Sequence, residues 1–235
     1  MQETRYEDGT VERELIVGKD TDDLTIQLKQ KYNKKINDPK VIEIRQKKIM
    51  NNIIHYPHPV LREKCTKVID VSTIKNFAKE MLKSMKEAKG IGLAAPQVGV
   101  PINLFVCNIT GKDEDDCIFV NPEISDLRGQ QKEIEGCLSF PGVQVECTRA
   151  KTCWIKAEDE NGMPINRELS GLLARVVQHE CEHLNKILLI DRMNLTDKVI
   201  NKKALDRLKL IKKEEEKEIK KQIKELEKKK KNDKK

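Results

Sequence analysis

His179-Glu180-Cys181-Glu182-His183 is the stretch that most restricts this chain. On an α-helix, positions i and i+4 share a face, so a helix here aims both imidazoles the same way. Two imidazoles on one face can hold one metal ion, and Glu180 beside the first is placed to move a proton from a bound water. The competing reading is a charged helix with two surface histidines. The chain holds only 4 His, which argues against an accidental pairing at this spacing. Helical periodicity extends upstream, because Leu172, Val176, His179 and His183 fall on one face. Ser170 or Gly171 is the expected start of this helix, and Asn185 the expected left-handed cap.

Two histidines do not complete a catalytic metal site; a third ligand and an open position are needed. An extension of the pattern with a further His six residues on is excluded, because that position is Leu189. Glu214, Glu215 and Glu216 sit in a charge run that offers no pocket to exclude water. Cys137, in Glu135-Gly136-Cys137-Leu138-Ser139, is the better candidate, since a thiolate is a strong ligand and glycine on one side permits close approach. A buried structural cysteine remains the alternative on residue pattern alone.

The other elements are read from periodicity and punctuation. Residues 1–48 are polar and lysine-rich with weak periodicity, an extension rather than a domain. The compact region, placed at 49–195, opens on Tyr56-Pro57-His58-Pro59, where two prolines impose a turning path; His55 and His58 are expected in exposed or structural roles. Ser72 is the expected N-cap of an amphipathic helix carrying Ile74, Phe77, Met81 and Met85 inward, with Gly90 at its stop. Gly90 to Gly99 is rich in glycine and alanine and lacks the Lys-Ser/Thr ending of a phosphate loop, so its glycines are expected to let a ligand approach the backbone. Strands are expected over 102–109, 117–121, 143–146, 152–157 and 163–169, the first two joined as an antiparallel hairpin by the acidic turn 111–116. Residues 196–235 are expected to form a Lys/Glu-rich helix or tail with a thin apolar stripe. The predicted class is α+β: antiparallel β-sheets around a central helix bearing the two histidines, an N-terminal amphipathic helix and a long charged C-terminal helix.

Composition narrows the setting. No apolar run approaches the length of a membrane span, and no signal-peptide layout is present. The 7 cysteines are odd in number and form no Cys-x-x-Cys, which argues for free thiols in a reducing compartment. The net charge of +7 is uneven: residues 212–235 hold twelve lysines against seven acids, leaving the rest nearly neutral.

Three stretches in this order resemble the three motifs of peptide deformylases: Gly90-Ile91-Gly92-Leu93-Ala94-Ala95-Pro96-Gln97, Glu135-Gly136-Cys137-Leu138-Ser139, and Gln178-His179-Glu180-Cys181-Glu182-His183. The opening at Tyr56-Pro57-His58-Pro59-Val60-Leu61-Arg62 is similar to the family's start as well. The chain departs at Glu182, where the family usually has aspartate; the expectation is that Glu182 pairs with Arg149. The resemblance implies hydrolysis of the formyl group from N-terminal formyl-methionine of new polypeptides. It assigns Cys137, His179 and His183 to one divalent metal, Fe²⁺ first, with Zn²⁺, Ni²⁺ or Co²⁺ as substitutes. It assigns Glu180 to proton transfer, Gln97 and the Leu138 backbone N–H to the oxyanion, and Ile91, Gly92, Val120, Gly136, Leu172 and Val176 to the peptide. It further implies an organelle with bacterial-type translation, such as a plastid or apicoplast, or else a bacterial cytoplasm; ribosome contact through the basic tail; and neither membrane nor DNA as partner. Two alternatives stand beside it: another metal-dependent amidase or peptidase on the same motif, and a non-catalytic ribosome-associated binding protein.

Overall fold

The structure, a computed structural model, describes residues 2–5, 11–14 and 53–232. The chain divides into two units, Met1–Arg45 and Gln46–Lys235. In the first, β1 (Gln2–Arg5) and β2 (Val11–Glu14) pair antiparallel, with Gln2 opposite Glu14. The polar composition of 1–48 does not announce these strands, and most of that span lies outside the described residues.

In the second unit, α1 (Lys75–Glu87) is followed by β3 (Gly92–Ala94), β4 (Leu104–Cys107) and β5 (Cys117–Arg128). Next come β6 (Gln131–Glu135), β7 (Val145–Arg149), β8 (Thr152–Glu158), β9 (Pro164–Ser170), α2 (Gly171–Leu184) and α3 (Leu195–Asn232). Five strands form one antiparallel sheet in the order β3-β4-β5-β8-β9, while β6 and β7 make a separate two-stranded sheet.

All four residues of β4 are buried because its alternating side chains serve two layers. Leu104 and Val106 join Phe77, Met81 and Met85 of α1, together with Ile118 and Val120 of β5. Phe105 and Cys107 join Val176, Val177 and Cys181 of α2, together with Phe119. The sheet is thus sandwiched, with α1 on one face and the histidine-bearing α2 on the other. Phe105 and Phe119 are register partners whose rings stack at 4.9 Å, worth about 1 kcal/mol beyond their buried area. A third cluster packs Phe140, Val143 and Val145 against Leu188, Leu189 and Leu208 of the C-terminal part.

The α+β class, the antiparallel sheets and the long C-terminal helix agree with the sequence reading, whereas several ends do not. β5 runs to Arg128, past the expected 121, because it crosses over to pair with β8. β6 was not expected, and β7 ends at Arg149 rather than 146. Asp70, not Ser72, caps the approach to α1: its carboxylate accepts from the Ser72 N–H at 2.9 Å, above a short 3₁₀ turn, Val71–Ile74. The left-handed residue ending α1 is Lys89 (φ 57), and the Gly90 N–H then donates to Met85 O at 2.9 Å. Gly90 is small for another reason, since a Cβ there would lie 2.6 Å from Leu138 Cδ1. Likewise Lys186 (φ 66), not Asn185, takes the left-handed turn after α2; Asn185 instead donates its side-chain amide to Cys181 O at 2.8 Å. Among the described residues no helix is long and apolar enough to cross a membrane.

Candidate metal centre

α2 begins directly off β9, with Gly171 (φ 59) making the turn that an L side chain would resist. Its inner face packs Ala174, Val177 and Cys181 on the sheet, which holds the histidine face at a fixed depth beside the loop that follows β6. There Cys137, His179 and His183 meet: one ligand atom from each lies within 4.8 Å of the others. Cys137 Sγ is 3.2 Å from His183 Nε2, and the two imidazoles stand edge-on with centroids 5.1 Å apart. One sulfur and two ring nitrogens at this closeness fit a four-coordinate first-row divalent ion with one position left open.

The orientation of the His179 ring is imposed from outside the cluster. Glu135, at the end of β6, places Oε2 3.0 Å from His179 Nδ1, which leaves Nε2 for the centre. Arg149 holds that same carboxylate with its Nε/Nη2 edge, Nε to Oε1 at 2.9 Å and Nη2 to Oε2 at 2.8 Å, and Arg175 also donates to it. Arg149 donates in addition to Glu182 at 2.6 Å, the expected pair, and Arg192 donates to Glu182 from the surface. Burial raises the Glu135 carboxyl, yet Arg149 and His179 outweigh it and hold the group below the usual carboxylate range. Burial disfavours a charged His179, but Cys137 and Glu135 reverse the balance and lift it above the ordinary range. His183 has no such carboxylate among the described residues, and burial together with the neighbouring His179 holds it well below that range.

Glu180 is buried at the floor of a cleft of about 780 Å³, where burial pushes its carboxyl up to about 7. Among the described residues its Oε2 has no hydrogen-bond partner. Gly92 lies against it: a Cβ on Gly92 would stand 2.3 Å from Glu180 Oε1 and 2.9 Å from Val176 Cγ1. Gly92→Ala is therefore expected to displace the carboxylate and lower turnover about 10²-fold with little change in melting temperature, measured by steady-state kinetics beside thermal unfolding. Gln97 is buried, accepts from Ala94 N–H at 2.7 Å, and points its amide at Ser139 Oγ (3.2 Å) and Cys137 Sγ (3.5 Å).

The cleft brings together Ile91, Gly92, Gln97, Gly136, Cys137 and Leu138 with Leu172, Val176, His179 and Glu180 of α2. Val120 does not line it. That side chain is fully buried on the α1 face of the sheet, because β5 alternation sends Cys117 and Phe119, not Val120, toward α2. His58 is structural, accepting from Val60 N–H at 3.2 Å, and His55 is exposed; neither joins the cluster. Arg175 and Ile134 also line the cleft and were missed. Arg175 precedes His179 by one helical turn, a spacing that brings it to the same carboxylate; Ile134 carries no such signal.

The sequence profile of the polypeptide deformylase family matches residues 50–199. The chain belongs to the peptide deformylase family. It is 39% identical over 183 residues to the peptide deformylase of Prochlorococcus marinus strain AS9601, spanning 76% of this chain and 90% of that one. It is 46% identical over 145 residues to the peptide deformylase of Rhodopirellula baltica, spanning 60% of this chain and 72% of that one. Crystals of peptide deformylase from Plasmodium falciparum hold a similar fold, with TM-score 0.67 and 37% identity over 69% of this chain and 97% of that one. Arabidopsis thaliana peptide deformylase 1B, solved with an inhibitor, gives TM-score 0.65 and 37% identity over 71% and 93%. The matched span, residues 50–199, holds α1, α2, both sheets of the second unit and the site, and the function is removal of the formyl group from N-terminal formyl-methionine.

Proposed function

We propose that this deformylase is metal-dependent, with Cys137, His179 and His183 holding one divalent ion, Fe²⁺ in its working form and Zn²⁺, Ni²⁺ or Co²⁺ as substitutes. The convergence of those three donors within 4.8 Å, with Cys137 and His179 lining the cleft, carries the reading. A divalent ion there supplies Lewis acidity, lowering the pKa of a coordinated water from about 16 toward 7. Glu180, buried and one residue from a ligand, takes the proton of the attacking water and returns it to the leaving amine. Gln97 Nε2 and the Leu138 backbone N–H donate to the oxygen on which negative charge develops.

The methionine side chain sits against Val176 and Leu172, one and two turns upstream of the histidines on the same helix face. The peptide backbone adds as a strand to the outer edge of β3 at Ile91 and Gly92, since β3 ends the sheet and those residues line the cleft. Gly136, beside Cys137, lets the formyl end approach. The catalytic domain is residues 49–195, with 1–48 and 196–235 as extensions. The basic tail within the latter is a candidate ribosome contact, since the substrate is the nascent chain. The working place is an organelle with bacterial-type translation, plastid-like, with bacterial cytoplasm as the second choice; relatives come from both bacteria and a plant.

The test is formate release from formyl-Met-Ala-Ser by chelator-stripped protein and by protein reloaded with Fe²⁺ or Zn²⁺. Stripping is expected to abolish release and reloading to restore it; no formate with either metal rejects the reading. Glu182→Asp, which withdraws the carboxylate by one methylene from Arg149 and Arg192, is expected to weaken metal affinity about tenfold in competition with a chromogenic chelator.

A further inference from the structure

Away from the metal centre, two thiols face each other across the sheet. Cys107 ends β4, Cys117 opens β5, and they are direct partners in the antiparallel register. Asn121 N–H donates to Asn103 O at 2.8 Å four residues along, so by the alternation of the ladder Cys107 and Cys117 also form a hydrogen-bonded pair. Such pairs have Cα atoms about 5.5 Å apart, inside the span of about 4.4–6.8 Å that a disulfide bridges. Cross-strand partners project to the same face. Here it is the α2 face, where Cys107 is fully buried with Phe105 and Phe119 while Cys117 is half-buried at the margin.

The Cys117 thiol also donates to Asp115 O at 3.5 Å, on the loop that joins the two strands. The neighbouring Cys107 thiol, helped by exposed Arg167 on β9, pulls the Cys117 thiol down to about 7 against its partial burial. The other cysteines offer nothing comparable. Cys65, Cys147, Cys153 and Cys181 are buried, with burial pushing Cys65 and Cys147 up to about 12, and Cys137 belongs to the metal centre.

We propose that Cys107 and Cys117 are a redox modification site: a dithiol that peroxide closes to a disulfide, with Cys117 attacking and Cys107 resolving. The Cys117 thiolate attacks a peroxide oxygen, the O–O bond breaks, and a sulfenic acid forms while the departing hydroxide takes the thiol's proton and leaves as water. The Cys107 sulfur then attacks the sulfenic sulfur, the S–O bond breaks, and the second water leaves with the Cys107 proton. The two thiols have given up two electrons and two protons, and the peroxide has become two waters. A dithiol returns both electrons and protons through two exchange steps. The cross-link closes the loop 108–116 into a ring on β4, the strand that holds Gly92 in register opposite Cys107.

The test treats the full chain, loaded with redox-inert Zn²⁺, with hydrogen peroxide, then alkylates, digests and maps it by mass spectrometry. The expected product is one peptide pair joined through Cys107 and Cys117, lighter by two hydrogens, cleaved by dithiothreitol and absent in Cys117→Ala. Sulfinic acid at Cys117 with Cys107 still alkylatable overturns the proposal. So do disulfides formed only between chains, or a Cys117 that survives peroxide levels consuming free glutathione. Should Cys117→Ala not fold, Cys107→Ala in the same assay decides it: Cys117 must then stop at the sulfenic acid, trapped by dimedone.

Discussion

Glu180→Gln is expected to lower turnover about 10³–10⁴-fold while metal content stays at one ion per chain, the upper range for a positioned general base. The substitution preserves shape, so the packing of Gly92 against this side chain survives. What is lost is the oxygen that accepts a proton: Oε2 is buried without a hydrogen-bond partner among the described residues, Glu180 lines the cleft, and an amide cannot take a proton there. Glu180 is outside the Cys137, His179 and His183 cluster, so metal analysis should be unchanged. Retention of more than a tenth of the turnover would mean that another group moves the proton.

Glu135→Gln is expected to cost about 3–5 kcal/mol of stability and to weaken metal binding as well. Glu135 is the single carboxylate shared by Arg149, Arg175 and His179, with side-chain exposures of only 3% and 7% for the two arginines. Removing its charge leaves buried Arg175 without a carboxylate and buried Arg149 with Glu182 alone, which costs far more than losing a surface ion pair. It also frees His179 Nδ1 from the acceptor that orients the ring. Urea unfolding with and without bound metal separates the two effects. If the double variant Glu135→Gln with Arg149→Met is no more stable than Glu135→Gln alone, the loss does not come from uncompensated charge at Arg149.

Much of the centre was legible because it is local. A helix fixes the relation of His179, Glu180 and His183, and the same periodicity put Leu172 and Val176 in the cleft lining. The sandwich was less legible. β4 reads as a plain apolar strand, and only packing shows Leu104 and Val106 serving one layer and Phe105 and Cys107 the other. Val120 was misplaced for that reason: its face is set by the register of β5 against β4, which no local pattern states. The helix ends failed differently. Gly90 and Asn185 are the usual left-handed residues, yet Lys89 and Lys186 hold those turns, while Gly90 is kept small by Leu138 and Asn185 spends its amide on a carbonyl.

Helical spacing alone dictated the paired imidazoles and the adjacent carboxyl, and composition confined the charge excess to the tail. The third donor could only be nominated from residue type, because Cys137 reaches His183 across 46 positions. Tertiary structure decided how the centre is held: Glu135 lies 44 residues from His179 and Arg149 lies 33 from Glu182. Those contacts depend on where the two-stranded sheet ends and how deeply α2 is set. Both are consequences of long-range burial, and no stretch of a dozen residues can encode them.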